Sequence, residues 1–274
     1  MEELNAFRAY LIAEEKSKAT TEKYVRDVNA FMAFAREREL SKQLILDYKQ
    51  HLLQQEYRPA SINSMLASVN AWLRYIGKEH MKVRQLKIQR ALYCAMEQEL
   101  TRQEYFALVQ TADRAGDTRL ALILQTICAT GIRVSELEYI TVEAVRRGVA
   151  TVNCKGKLRT VFLVSSLCRR LEAYIERRGL REGAVFLSEN GEPVQRGEVW
   201  RKMKQLCRCA GVAPQKVYPH NLRHLFAREY YEGEHDLAKL ADILGHSSIN
   251  TTRIYILSTG SEHQRQLEKM HLVL

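Results

Sequence analysis

Apolar residues recur at helical spacing through the first eighty positions of the chain. Leu4, Phe7, Tyr10 and Leu11 mark one amphipathic face, and Tyr24, Val28, Phe31 and Ala35 mark a second. Ser41 is placed to cap a third run, whose apolar side carries Leu44, Tyr48 and Leu52. Pro59 opens a fourth, in which Ile62, Leu66, Val69, Leu73 and Ile76 keep the period until Gly77 ends it. Short polar connections between such helices predict a compact helical bundle over residues 1–82. Residues 83–98 then lose the pattern and carry a cluster of positive charge, which predicts a linker.

A second domain is expected over residues 99–274. Thr101-x-x-Glu104 reads as a capping box, with Tyr105, Leu108 and Val109 buried behind it. Asp117 can cap DTRLALILQTICAT, which is apolar on most sides and therefore central to a core, and Gly131 ends it. Ala150–Cys154 and Thr160–Val164 read as two strands around a basic turn over 155–159. Ser165 or Ser166 is expected to cap a helix running to Arg178, and Ala184–Leu187 reads as a short strand. Further helices are predicted near 196–210, after Pro219, from Asp236 to Gly245, and within SINTTRIYIL. A last helix, capped by Ser261-x-x-Gln264, runs to the apolar end MHLVL. The predicted fold is mainly α, a helical bundle followed by a mostly helical domain with a small β-hairpin or sheet.

Charge narrows the function. The 274 residues hold 42 Lys and Arg against 32 Asp and Glu, a net +10 shared by both halves of the chain. Such a surplus favours a polyanionic partner, most commonly nucleic acid. In the bundle, Lys16, Lys18, Lys23, Arg26, Arg58 and Arg74 form a set suited to DNA backbone contact, although each alone also fits a solvated surface. The six cysteines, at 94, 128, 154, 168, 207 and 209, contain no CxxC pair and read as reduced thiols. No signal-peptide order and no apolar run near the ~20 residues of a membrane span are present, so a soluble cytoplasmic protein is expected.

The chemistry concentrates in PHNLRHLFAREYYEGEHDLAKLADILGHSSINTTRIYI. His220 and Arg223, three residues apart, share one helix face, and His246 and Tyr255 follow within one short region. Imidazole and guanidinium suit a phosphodiester oxyanion, and a tyrosine nearby could attack it. Alone, Tyr255 on an apolar helix would be a packing residue. Arg133, just past a buried helix, is costly to desolvate without an anion, the structural alternative being a pair with Glu136. Lys155, Lys157 and Arg159 put three cations on the hairpin turn.

ATGIRVSEL, His220-x-Leu-Arg223-His224 and LGHSSINTTRIYI together resemble the three boxes of the tyrosine recombinase (phage integrase) family, its Xer-type members most closely. ATTEKYVRDVNAFMAF and SINSMLASVNAWLRYI resemble the family's SAM-like core-binding helices, so the likeness spans nearly the whole chain. It implies a site-specific DNA recombinase that cuts and rejoins strands through a 3′-phosphotyrosyl link, for integration, excision or dimer resolution. In that reading Tyr255 is the nucleophile, Arg133 and Arg223 hold the non-bridging oxygens, and His220 assists proton transfer. His246 hydrogen-bonds the phosphate, Lys155 protonates the departing oxygen with Lys157 competing for that role, and Glu136 supports the arginine region. The hairpin cations Lys157 and Arg159 join the bundle set as expected DNA contacts. No cofactor or metal is implied. The partners implied are double-stranded DNA with short inverted sites and further copies of the chain, assembled through the C-terminal helix. A catalytically silent DNA-binding protein of the same fold, or a type IB topoisomerase, is the alternative.

Overall fold

A computed structural model describes residues 2–88, 99–154, 157–246 and 248–253. The chain divides at residue 90 into two compact units.

The first unit packs helices α1 (Glu2–Ala13), α2 (Lys18–Ala35), α3 (Lys42–Gln54) and α4 (Pro59–Tyr75). Ser17 and Ser41 cap α2 and α3 by accepting from the amides of Thr20 and Leu44, and Pro59 opens α4, where a missing amide proton costs nothing. The apolar stripes meet in one core of Phe7, Leu11, Val28, Phe31, Ile45, Ile62, Leu66 and Leu73. Asp27 is buried in this unit. Lys23 Nζ lies 2.5 Å from its carboxylate and Ser68 Oγ donates to it at 2.8 Å, tying α2 to α4.

The expected linker does not begin free at residue 83. Val83 is buried in the bundle core, and α4 holds the outgoing chain with two asparagine clasps. Asn70 bonds both backbone groups of Val83, at 3.0 and 3.2 Å, and Asn63 bonds both of Leu86, at 2.9 and 2.7 Å. Seven residues of helix rise ~10.5 Å and three residues of extended chain span ~10 Å, so the two spacings match. Positive charge at Lys82, Arg84 and Lys87 hid this attachment, because the anchoring is by backbone rather than by an apolar run. Residues 89–98 lie outside the described ones.

The second unit is built around α6 (Thr118–Thr130), capped by Asp117. Against it pack α5 (Arg102–Arg114), α8 (Ser165–Arg178), α9 (Arg196–Ala210) and α10 (Pro219–Glu234). Leu120, Leu122, Leu124 and Ile127 of α6 are buried, as its all-round apolar character predicts. A 3₁₀ turn (Val134–Tyr139) and α7 (Val142–Arg147) lead into the antiparallel strands β1 (Val149–Cys154) and β2 (Lys157–Phe162). The chain ends, among described residues, with α11 (Leu237–Leu244) and α12 (Ile249–Arg253).

Three local expectations change. β2 starts at Lys157 rather than Thr160, with Cys154 opposite Lys157 and Val152 opposite Arg159, so Lys157 and Arg159 are strand residues. Ala184–Leu187 is not a strand: Ala184 and Leu187 make single bridges, to Thr141 and Pro193, and no ladder develops. Val164, not a serine, stands at the N-cap of α8 without a side-chain bond.

Candidate active site

Two helix ends and one turn assemble the site. Gly131 ends α6 in the left-handed conformation, φ 65°, which turns the chain so that Arg133 follows at the head of the 3₁₀ turn. Glu136, three residues on and buried, accepts from the Arg133 amide at 2.7 Å and from Arg133 Nη1 at 2.8 Å. The pairing foreseen as an alternative to anion binding therefore exists, but it leaves the Arg133 side chain about a third exposed.

Arg223 is 1% exposed. It donates to the Gly131 carbonyl, to the Leu244 carbonyl at 2.6 Å, and meets His246 Nε2 at 2.9 Å. A buried guanidinium is tolerable because backbone carbonyls at two helix ends receive its protons. His246 follows the C-terminus of α11, and its Nδ1 lies 2.8 Å from Thr252 Oγ1 on α12. Arg133, His220 and Arg223 line one cleft of about 390 Å³, together with Ser135, Arg196, Trp200 and Tyr218.

Electrostatics keep the histidines neutral. Desolvation, reinforced by Arg223 and Arg133, brings His246 down to about 4. Desolvation and the neighbouring guanidinium groups of Arg223, Arg133 and Arg196 lower His220. His224, edge-on to His220 with ring centroids 4.8 Å apart, falls to about 3, again chiefly through burial. Burial pushes Glu136 the other way, but the Arg133 hydrogen bonds and the Arg159 charge outweigh it and hold the carboxyl below its ordinary value. At neutral pH the cleft therefore presents fixed guanidinium charge and neutral imidazoles, an arrangement suited to a phosphodiester.

Two arginines and two histidines thus meet in a mostly helical unit that follows a helical bundle in the chain, and both parts match known protein families. Residues 98–262 match the phage integrase family, and residues 4–80 match the phage integrase N-terminal SAM-like domain. The chain belongs to the phage integrase family. It is 30% identical to tyrosine recombinase XerD of Vibrio cholerae over 82% of this chain and 79% of that one. It is also 30% identical to tyrosine recombinase XerA of Pyrococcus furiosus, over 99% and 95%. Among solved structures, a lambda integrase dimer bound to a COC′ core site superposes with TM-score 0.73 at 18% identity, covering 93% of this chain and 94% of that one. XerH recombinase bound to its difH substrate gives TM-score 0.66 at 21% identity, over 85% and 74%.

Several expected site residues of this integrase-family chain sit elsewhere or are not described. Lys155 and Tyr255 lie outside the described residues, and Lys157 is placed only as a strand residue opposite Cys154. Arg159 is not a cation at an exposed hairpin tip. Its side chain is 10% exposed and bonds Glu136 and the Ile243 carbonyl. Lys23 is engaged with Asp27, the Ser64 carbonyl and Ser68, whereas Lys16, Lys18, Arg26, Arg58 and Arg74 are exposed. Thr252, Arg196, Trp200 and Tyr218 were not anticipated. Nothing local marks them, since each joins the site only through the packing of separate helices. Among the described residues no cluster of three metal-ligating side chains forms.

Proposed function

We propose that this chain cuts and rejoins double-stranded DNA at a specific site through a 3′-phosphotyrosyl intermediate. The observation that carries the reading is the shared cleft of Arg133, His220 and Arg223, with His246 bonded to Arg223. The Tyr255 phenolic oxygen attacks the scissile phosphorus and the bond to the 5′-oxygen breaks. The DNA 3′ end is left on tyrosine and a 5′-hydroxyl is released. His220 assists removal of the phenol proton, and Lys155 gives a proton to the departing oxygen, Lys157 being the alternative donor. A tyrosine pKa near ~10 makes these neighbours necessary at neutral pH. Arg133 and Arg223 stabilise charge on the non-bridging oxygens, with His246 as a further hydrogen-bond partner. Attack by a 5′-hydroxyl from another strand restores the diester. One phosphoester replaces another, so no nucleotide is consumed, and the guanidinium pair does the electrostatic work that metal ions do elsewhere.

The partners in this reading are DNA with short inverted sites and further copies of the chain, joined through the C-terminal helix, in the cytoplasm. Its role is integration, excision or dimer resolution. Relatives named tyrosine recombinases and neighbours solved as dimers and a tetramer on DNA support it. Residues 1–82 serve as the core-binding domain and 99–274 as the catalytic one. DNA recovered from a randomised pool by binding supplies the substrate for the test. Denaturing gels should show a covalent protein–DNA adduct that Tyr255→Phe abolishes. An adduct surviving in Tyr255→Phe would show that another residue is the nucleophile. Tight binding with no adduct from the unaltered chain would favour a silent DNA-binding protein.

A further inference from the structure

Arg159 has no part in the phosphate chemistry above, yet it is built into the ground beneath it. Its Nη2 lies 2.5 Å from Glu136 Oε2 and its Nη1 donates to the Ile243 carbonyl at 2.7 Å. Leu244, the next residue, gives its carbonyl to Arg223. Two adjacent carbonyls at the C-terminus of α11 are thus each taken by an arginine, at the helix end where positive charge is most favourable. Gly245 follows with φ 66°, and a Cβ there would lie 2.5 Å from Arg159 Cδ and 2.9 Å from its Nε. The helix end and the arginine stem are fitted to each other. His246 begins at that contact.

We infer that Arg159 is a positioning residue for the phosphate site, bridging Glu136 to the end of α11 and so fixing Arg133 and His246 relative to each other. The inference rests on the proposed reading of Arg133 and His246 as phosphate ligands. The Glu136 carboxylate lies between two guanidinium groups, and a buried carboxylate must be compensated. With Arg159 removed, Arg133 alone balances Glu136 and is drawn toward it, away from a phosphate. The loop at His246 loses its link to the same carboxylate. Displacements of about 1 Å at such a site cost about 10²-fold in rate.

Single-turnover adduct formation by the full chain, on a nicked DNA that traps the intermediate, tests this. Arg159→Ala should slow adduct formation by about 10²-fold while DNA affinity changes little. Arg159→Lys, which can restore one of the two links, should recover part of the rate. The pH profile supplies a readout that general loosening would not give. Arg133 from the same turn and Arg159 from β2 are the charged groups bearing on Glu136 among the described residues. Losing Arg159 lets both the Glu136 carboxyl and the His246 imidazole, which it also holds down, titrate higher, so the acid limb of the rate profile should move up in pH in Arg159→Ala and less in Arg159→Lys. Where Arg159→Ala fails to fold by melting, the Arg159→Lys rate and profile decide. An unchanged adduct rate, or a loss fully explained by weaker DNA binding, overturns the inference. Arg133→Ala separates the two levels: if it keeps the full adduct rate, the parent reading fails. If it abolishes the adduct while Arg159 variants cleave normally, only the positioning role fails.

Discussion

Arg223 on α10 donates a hydrogen bond to the carbonyl of Gly131, the residue that ends α6 two positions before Arg133. The two arginines of the cleft are therefore not placed independently. One holds the turn that presents the other, so disturbance at Gly131 reaches both.

Gly131→Ala tests that dependence. The left-handed backbone disfavours a side chain by about 1–2 kcal/mol. A Cβ would also press on the Phe226 ring and come within 2.9 Å of Leu244 Cδ2. Overpacking adds about 1–3 kcal/mol. Denaturant melts should show a loss of about 2–5 kcal/mol, the two effects together. Adduct formation should fall further than the folded fraction does.

Thr252 controls what His246 can do. Arginine only donates, so His246 Nε2 accepts from Arg223 and the ring proton sits on Nδ1, toward Thr252 Oγ1. To donate to a phosphate the ring must adopt the other tautomer, and a hydroxyl can accept from Nδ1 or donate to it. Thr252→Val should lower the adduct rate by about fivefold, the worth of one hydrogen bond near 1 kcal/mol, with DNA affinity unchanged. Thr252→Ser should keep the rate. Equal rates for all three proteins would remove Thr252 from the site.

Acid should destabilise the second unit through its histidines. His246 at about 4 and His224 at about 3 both lie below the ordinary 6.5. Above 6.5 neither state binds the proton and the shifts contribute nothing. Below it the unfolded chain takes up protons that the fold refuses, so stability falls as pH drops from 6.5 toward 4. Denaturant melts at successive pH values should show this slope, and His224→Gln should flatten it. The same slope in the variant would mean that other groups set it.

Bundle cations should separate into two kinds. Alanine at Lys16, Lys18, Arg58 or Arg74 should leave melting unchanged, weaken DNA binding, and lower the salt slope by about 1 for each true phosphate contact. Lys23→Ala should instead destabilise the bundle by about 1–3 kcal/mol, because Asp27 stays buried with less compensation. A Lys23 variant that melts normally but changes the salt slope would place it among the DNA contacts.

Much of the fold was legible because apolar periodicity and caps are local. Ser41, the Thr101–Glu104 box, Asp117, Asp236 and the terminal glycines set helix ends where expected. The arginine and histidine boxes were legible because their spacing is fixed by a helix and its flanking turns. Arg159 departs from the expected basic tip because of strand parity. Val161 and Leu163 face inward, and strand alternation puts residue 159 on that same side. Starting the strand at Thr160 hid the parity. The asparagine clasps carry no composition signal at all, since one asparagine in a helix resembles any polar surface residue until the segment it holds is in place.

Strand parity has a consequence for how this hairpin can vary. Along β2, Leu158 and Phe162 are exposed at 71% and 73%, while Arg159 and Val161 point into the domain. A residue added before Lys157 changes the length of the hairpin tip and leaves that alternation intact. A residue added between Lys157 and Arg159 would turn the apolar row inward at the site and push the guanidinium out into water, if the ladder beyond it moves as a body. The boundary between a segment free to lengthen and one that is not falls within two residues of chain.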